Sequence, residues 1–160
     1  MRWWPRLASG IALWVALLGT APPASASEAI FAELDGEPIS PVEAGNYYCH
    51  DLSYPLITCF SDAESLEADL ASSQAAASVY VTVYSDASYT GAYAHLSQDY
   101  DGLWTIGWND RVSSFVVPDG ESGRFFTDWY EGGNRYGFCC NAEVPYLGSF
   151  DDTFSSVYRT

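Results

Sequence analysis

From Val79 onward the chain alternates apolar and polar positions. Val79-Tyr-Val-Thr-Val-Tyr84 sets aliphatic side chains at every second place, with aromatic or hydroxyl residues between them. That is the period of a half-buried strand. Shorter runs of the same kind fall near 92–96, 103–107, 112–117, 123–129, 136–139, 144–147 and 154–159, separated by Gly-, Asp- and Asn-rich stretches. Many short strands at this spacing predict an all-β antiparallel sandwich. Ahead of them the pattern is weaker. Phe31 to Ile39 reads as a short hairpin turning at Asp35-Gly36, a favoured pair for tight turns. Tyr47-Tyr48-Cys49-His50 reads as a loop. Ser61-Asp-Ala-Glu64 has the form of a capping box, and Ala63, Leu66 and Leu70 share one face of a short helix. Residues 72–78 are small and polar, a connector.

The segment 1–26 follows another logic. Arg2 and Arg6 precede an apolar stretch from Ile11 to Leu18, and Ala24-Ser25-Ala26 offers a small-x-small cleavage pattern. This predicts a removable export signal, its apolar core falling short of the ~20 residues of a permanent span. The organisation expected is therefore 1–26 signal peptide, 27–77 a short α/β extension, and 78–160 a β-domain. The extension carries too few large apolar residues to fold alone and should pack on the β-domain.

Charge narrows the partners. Beyond Ala26 four arginines (Arg111, Arg124, Arg135, Arg159) face 21 acidic residues, a net of −17, with no lysine. Such a field repels phosphate backbones and anionic lipid, so neither nucleic acid nor membrane is expected as a partner, whereas cations are. Four cysteines, Cys49, Cys59, Cys139 and Cys140, suit an oxidising, extracellular setting. Pairing Cys139 and Cys140 each with Cys49 or Cys59 would tether the extension to the β-domain by disulfides. A Cys49–Cys59 bridge, with Cys139 and Cys140 either free or bonded to each other, is the alternative.

Two hexapeptides then stand out. Asn109-Asp110-Arg111-Val112-Ser113-Ser114 and Asp151-Asp152-Thr153-Phe154-Ser155-Ser156 share one pattern, each opening on two Asn/Asp and closing on Ser-Ser. Carboxylate, amide and hydroxyl oxygens at this spacing are ligands for a hard cation such as calcium. Each closes a unit large enough for four short strands, one Greek key. The first unit opens at Tyr84-Ser-Asp-Ala-Ser-Tyr89-Thr-Gly91 and the second near Trp129-Tyr130, with Tyr136-Gly137 behind it.

These features resemble the microbial βγ-crystallin family, marked by an aromatic-x4-aromatic-x-Gly hairpin and an N/D-N/D-x-x-S/T-S calcium motif. Tyr84, Tyr89 and Gly91 match the hairpin, both hexapeptides match the motif, and the second hairpin departs from it by one residue. The resemblance implies a sandwich of two Greek keys and up to two calcium ions shared by crossed loops. Asp110 and Asp152 would then offer side-chain oxygens, Ser113 and Ser155 hydroxyls, and Arg111 and Thr153 backbone carbonyls. Asn109 and Asp151 would brace the loops, and hairpin carbonyls near Asp86 and Glu131 would complete the shells. Arg111 also brings a positive side chain close to one site.

Tools for catalysis are sparse: two histidines, His50 and His95, and no G-x-S-x-G, H-E-x-x-H or phosphate-cradling loop. A non-enzymatic, secreted calcium binder is the reading, with the ion acting chiefly on stability. The rival is a secreted inhibitor of metalloproteases on a crystallin-like scaffold, with a protease as its partner. Trp104, Trp108 and Trp129 serve either a β-sandwich core or a surface that stacks on sugars or protein.

Overall fold

A computed structural model describes residues 29–73 and 78–160. The export signal expected over 1–26 and most of the 72–78 connector lie outside the described residues.

The expected hairpin forms from β1 (Phe31–Leu34) and β2 (Glu37–Ile39). Asp35 and Gly36 make its turn, both at positive φ. The segment read as a loop from Tyr47 is instead a strand, β3 (Tyr48–Ser53), antiparallel to β4 (Leu56–Phe60). Its polar residues disguise it, because His50 and Asp51 are buried and engaged by other elements. Helix α1 (Ala63–Ser73) follows with Leu66 and Leu70 buried. Its cap is Asp62, whose Oδ1 accepts the Ser65 N–H at 2.8 Å, so the cap lies one position beyond the expected Ser61.

The β-domain is built from β5 (Val81–Asp86), β6 (Thr90–Leu96), β7 (Ser114–Val116), β8 (Ser122–Phe126), β9 (Arg135–Cys139), β10 (Glu143–Val144) and β11 (Ser156–Arg159). Residues 103–107, expected as a strand, contain a 3₁₀ turn over Leu103–Ile106. The third strand of the first key is reduced to one bridge, Tyr100 to Val157. That bridge explains the topology. Tyr100 of the first key pairs with β11 of the second, and β10 of the second pairs with β7 of the first. Each key thus lends its third strand to the other's sheet, and neither can close without its partner.

Between the sheets lies an aromatic core. Phe125 and Phe154 stack with centroids 4.5 Å apart, and Phe115, Phe138 and Tyr136 crowd around them. Trp108, Phe115, Phe125 and Phe154 are fully buried, each stabilising by about 1.5–3 kcal/mol through removal from water.

The extension does more than pack. β3 runs parallel to β6, so one sheet continues through eight strands in the order β10-β7-β5-β6-β3-β4-β1-β2, while the other holds β11-β8-β9. Asp51 locks this junction: its carboxylate accepts from Ser97 N at 2.6 Å, Gln98 N at 3.2 Å and Tyr100 Oη at 2.9 Å. Burial raises its pKa, against the pull of those bonds. The disulfide tether is not formed. Cys49 pairs with Cys59 across β3 and β4, and Cys139 with Cys140. Hydrogen bonding and sheet continuation hold the extension, because Cys49 and Cys59 are cross-strand neighbours already in register.

Candidate metal centre

Each hexapeptide runs from a turn into the last strand of its key, β7 or β11. Asp110 and Asp152 both sit at φ 52 in the left-handed region, which Asp tolerates better than most residues. Their backbones then pair reciprocally: Asp110 N–H donates to Phe154 O at 2.9 Å, and Asp152 N–H to Val112 O at 3.2 Å. The side chains cross in the same way. Ser155 Oγ donates to Asp110 Oδ1 at 3.2 Å, and Ser113 Oγ to Asp152 Oδ1 at 3.1 Å. Each carboxylate therefore meets the hydroxyl of the opposite loop. Asp110 and Asp152 both face one cleft of about 520 Å³, with Thr127, Asn134, Phe150 and Thr153 on its walls.

The remaining residues divide. Ser114 Oγ donates to Asp86 O at 2.6 Å and Ser156 Oγ to Asp128 O at 2.8 Å, so both second serines fasten loop to hairpin. Asn109 braces the first loop, donating to Asp110 Oδ2 at 2.7 Å and accepting from Trp129 Nε1 at 3.1 Å. Asp151 does not share that role, because its Oδ1 is buried with no hydrogen-bond partner. Thr153 Oγ1 donates to Phe150 O at 2.8 Å. Arg111 turns to the extension, donating to Asn46 Oδ1 at 3.0 Å, so its charge is held by the 3₁₀ turn Pro41–Asn46.

Ser114 and Ser156 also correct the second hairpin. They fasten to Asp86 and Asp128, so the step from Ser114 to Ser156 is also the step from Asp86 to Asp128. The same offset carries Tyr84, Tyr89 and Gly91 onto Phe126, Glu131 and Gly133, not onto Trp129 or Tyr130 and Tyr136-Gly137. Backbone angles agree: Ser88, Tyr89 and Gly91 have φ 60, 62 and 77, and Tyr130, Glu131 and Gly133 have φ 53, 60 and 73. A Cβ on Gly91 would overlap Asp86 Oδ2, and one on Gly133 would overlap Thr127 Oγ1, so both positions need glycine. Asp86 and Glu131, named together as carbonyl donors, are therefore not equivalent positions.

No family model and no curated protein matches the sequence. Solved structures do. One from a study of how the eye-lens βγ-crystallin domain fold evolved is 22% identical with a TM-score of 0.50, covering 52% of this chain and 86% of that one. This chain has the βγ-crystallin fold. A βγ-crystallin from Ciona intestinalis is 29% identical (TM-score 0.46), covering 50% of this chain and 98% of that one. A βγ-crystallin domain from Clostridium beijerinckii is 24% identical (TM-score 0.45), covering 50% and 95%. The exchange of third strands described above is this chain's own evidence for two βγ-crystallin Greek keys.

The donor set suits a hard cation. Two carboxylates and two hydroxyls meet across the loops beside a cleft that, among the described residues, no basic side chain lines, and oxygen-only donors are what calcium takes. Among the described residues no group of three or more His, Cys, Asp and Glu is placed to hold a metal.

Proposed function

We propose that the chain is an exported, non-enzymatic βγ-crystallin-type protein whose paired loops bind up to two calcium ions, chiefly as a stabiliser of the fold. The observation that carries this reading is the crossed pairing of Asp110 with Ser155 and of Asp152 with Ser113. One site takes Asp110 and Ser155, and the other takes Asp152 and Ser113. Arg111 and Thr153 contribute backbone carbonyls. Calcium, when bound, would join the two keys at the point where their loops already interlock.

Export rests on the signal-like segment over 1–26 and on the two disulfides. The non-enzymatic reading is supported by what the candidate catalytic groups do. Cys49 is bonded to Cys59. His50 Nε2 contacts Asp69 Oδ2 at 3.0 Å, and His95 sits between Thr82 and Glu67, so both rings hold β3 and β6 to helix α1.

Extracellular calcium modules bind at roughly 10⁻⁴–10⁻³ M. Calcium at 100 times its Kd adds about 2.7 kcal/mol per site, a large share of the ~5–15 kcal/mol of a whole domain. The test is a melting curve under calcium titration with EDTA and magnesium controls. A calcium-specific rise of several degrees is expected. No shift at ten millimolar calcium would refute the reading.

A further inference from the structure

On another face, a cleft of about 560 Å³ opens between the extension and both keys. Its aromatic walls are Tyr54 from the β3–β4 turn, Trp104 from the 3₁₀ turn, Tyr130 from the second hairpin and Tyr158 from β11. Asp99 and Asp101 bring two carboxylates to the lining, with Ile30, Tyr100, Gly102 and Thr105 beside them. Tyr130 is 74% exposed, Trp104 52% and Tyr54 37%, and Trp129, 53% exposed, stands 6.4 Å from Trp104. Four of the seven exposed large hydrophobic side chains among the described residues thus gather at this one place. Aromatic side chains left in water in such a group mark a binding surface.

The polar groups choose the ligand. Asp101 Oδ1 accepts from Tyr158 Oη at 2.6 Å, and Asp99 Oδ1 accepts from Arg159 N at 2.7 Å. On each carboxylate the second oxygen has no partner among the described residues. No basic side chain lines the cleft, and the Arg159 guanidinium points away to Glu121. Several donors are already spent inward: Tyr158 on Asp101, Tyr100 on Asp51 and Thr105 on Gly102 O. What faces the cleft is π-surface and carboxylate oxygen, together with the Tyr54 and Tyr130 hydroxyls and the Trp104 indole N–H. Two carboxylates with no basic partner in the lining favour a cation over a neutral sugar, and the π-faces suit an organic one. A hard metal ion finds no use for the aromatic faces.

We propose that this cleft binds an organic cation through an alkylammonium head, carried by a small quaternary amine or by a lysine side chain of a protein partner. The aromatic faces of Trp104, Tyr54 and Tyr130 take its alkyl shell, and Asp99 and Asp101 balance its charge. The net charge of the chain, −15 over its full length, draws such ligands in.

The test is a calorimetric and tryptophan-fluorescence titration of the purified protein in EDTA, which keeps calcium out of the measurement. The probes are choline, its uncharged isostere 3,3-dimethylbutan-1-ol, a tetralysine peptide, and maltohexaose. Choline or tetralysine should bind at least tenfold more tightly than the isostere. Tyr130→Ala and Asp99→Asn should each weaken that binding fivefold or more without moving the melting temperature. Choline without tetralysine assigns a small-molecule ligand, and the reverse assigns a protein partner. Equal binding of the isostere, binding of maltohexaose alone, no binding at 20 mM of either cation, or indifference to both substitutions would overturn the proposal.

Discussion

The two Greek keys present the same loop on unequal supports. Asp110 and Asp152, Ser113 and Ser155, and Ser114 and Ser156 occupy matching positions at one constant offset, and the two aspartates share the same backbone φ. Their second strands differ. In the first key β6 is covered by β3 of the extension, whereas in the second β9 is an edge strand. The hairpins differ too. Tyr84 packs edge-on against Tyr89 at 5.7 Å, while the position corresponding to Tyr89 is Glu131. The first key is thus closed on its outer edge and pinned at its fold, and the second is neither. The loop geometry survives that difference because it is set between the keys, by reciprocal bonds, rather than within either one.

The largest effect on this asymmetry should come from Asp51→Ala. It strands the Ser97 and Gln98 amides and the Tyr100 hydroxyl at the junction of extension and first key. The Tyr100 hydroxyl is left buried without a partner at about 1–3 kcal/mol, and each partly buried amide loses a bond worth about 1 kcal/mol, so a loss of about 3 kcal/mol is expected in urea denaturation. A loss under ~1 kcal/mol, the worth of a single bond, would mean that the extension contributes little to the first key.

A finer contrast separates the two second serines. Ser114 Oγ both donates to Asp86 O and accepts the Tyr89 N–H at 3.0 Å, whereas, among the described residues, Ser156 Oγ donates to Asp128 O and accepts nothing from its hairpin. At about 1 kcal/mol per bond, Ser114→Ala should cost about 2 kcal/mol and Ser156→Ala about 1 kcal/mol. Equal losses would show that the hairpins are equally anchored, against the comparison.

The smallest effect is one of pH and belongs to the first key alone. Burial holds His95 below its ordinary pKa, with Glu67 opposing. The unfolded chain therefore binds more protons than the folded one in that window. Stability is fully present above about pH 6.5 and is lost as pH falls through the lowered folded value. Asp51 runs the other way: its raised pKa makes its burial unfavourable at neutral pH, a penalty relieved on acidification towards that value. His95→Gln should flatten the fall in melting temperature between about pH 7.5 and 5.5, the range that brackets an ordinary histidine. An unchanged slope would remove His95 from the account.

Much of this is legible in the sequence for a physical reason. Strand alternation from Val79 marks one-sided burial, and the hexapeptides mark loops whose oxygens recur at fixed spacing. The second hairpin escapes a search for aromatic residues, because the constant offset from Asp110 to Asp152 is what locates it. Applied to Tyr84, Tyr89 and Gly91, that offset finds Phe126, Glu131 and Gly133 directly. β3 stays hidden because its buried polar residues are engaged by distant partners: Asp51 by Ser97, Gln98 and Tyr100, and the Nε2 of His50 by Asp69. No local pattern announces such bonds. The same holds for the disulfides, since register between β3 and β4, invisible in residue spacing, decides which cysteines meet.

The central claim is that each calcium site is built from both keys, and calorimetric calcium titration of paired substitutions tests it most directly. Asp110→Ala and Ser155→Ala should each remove the same one of two sites, and combining them should remove nothing further. Asp110→Ala with Ser113→Ala should abolish both. If Asp110 and Ser113 instead share one site, so that their double variant keeps one calcium per chain, the crossed arrangement is wrong and each key binds its ion alone.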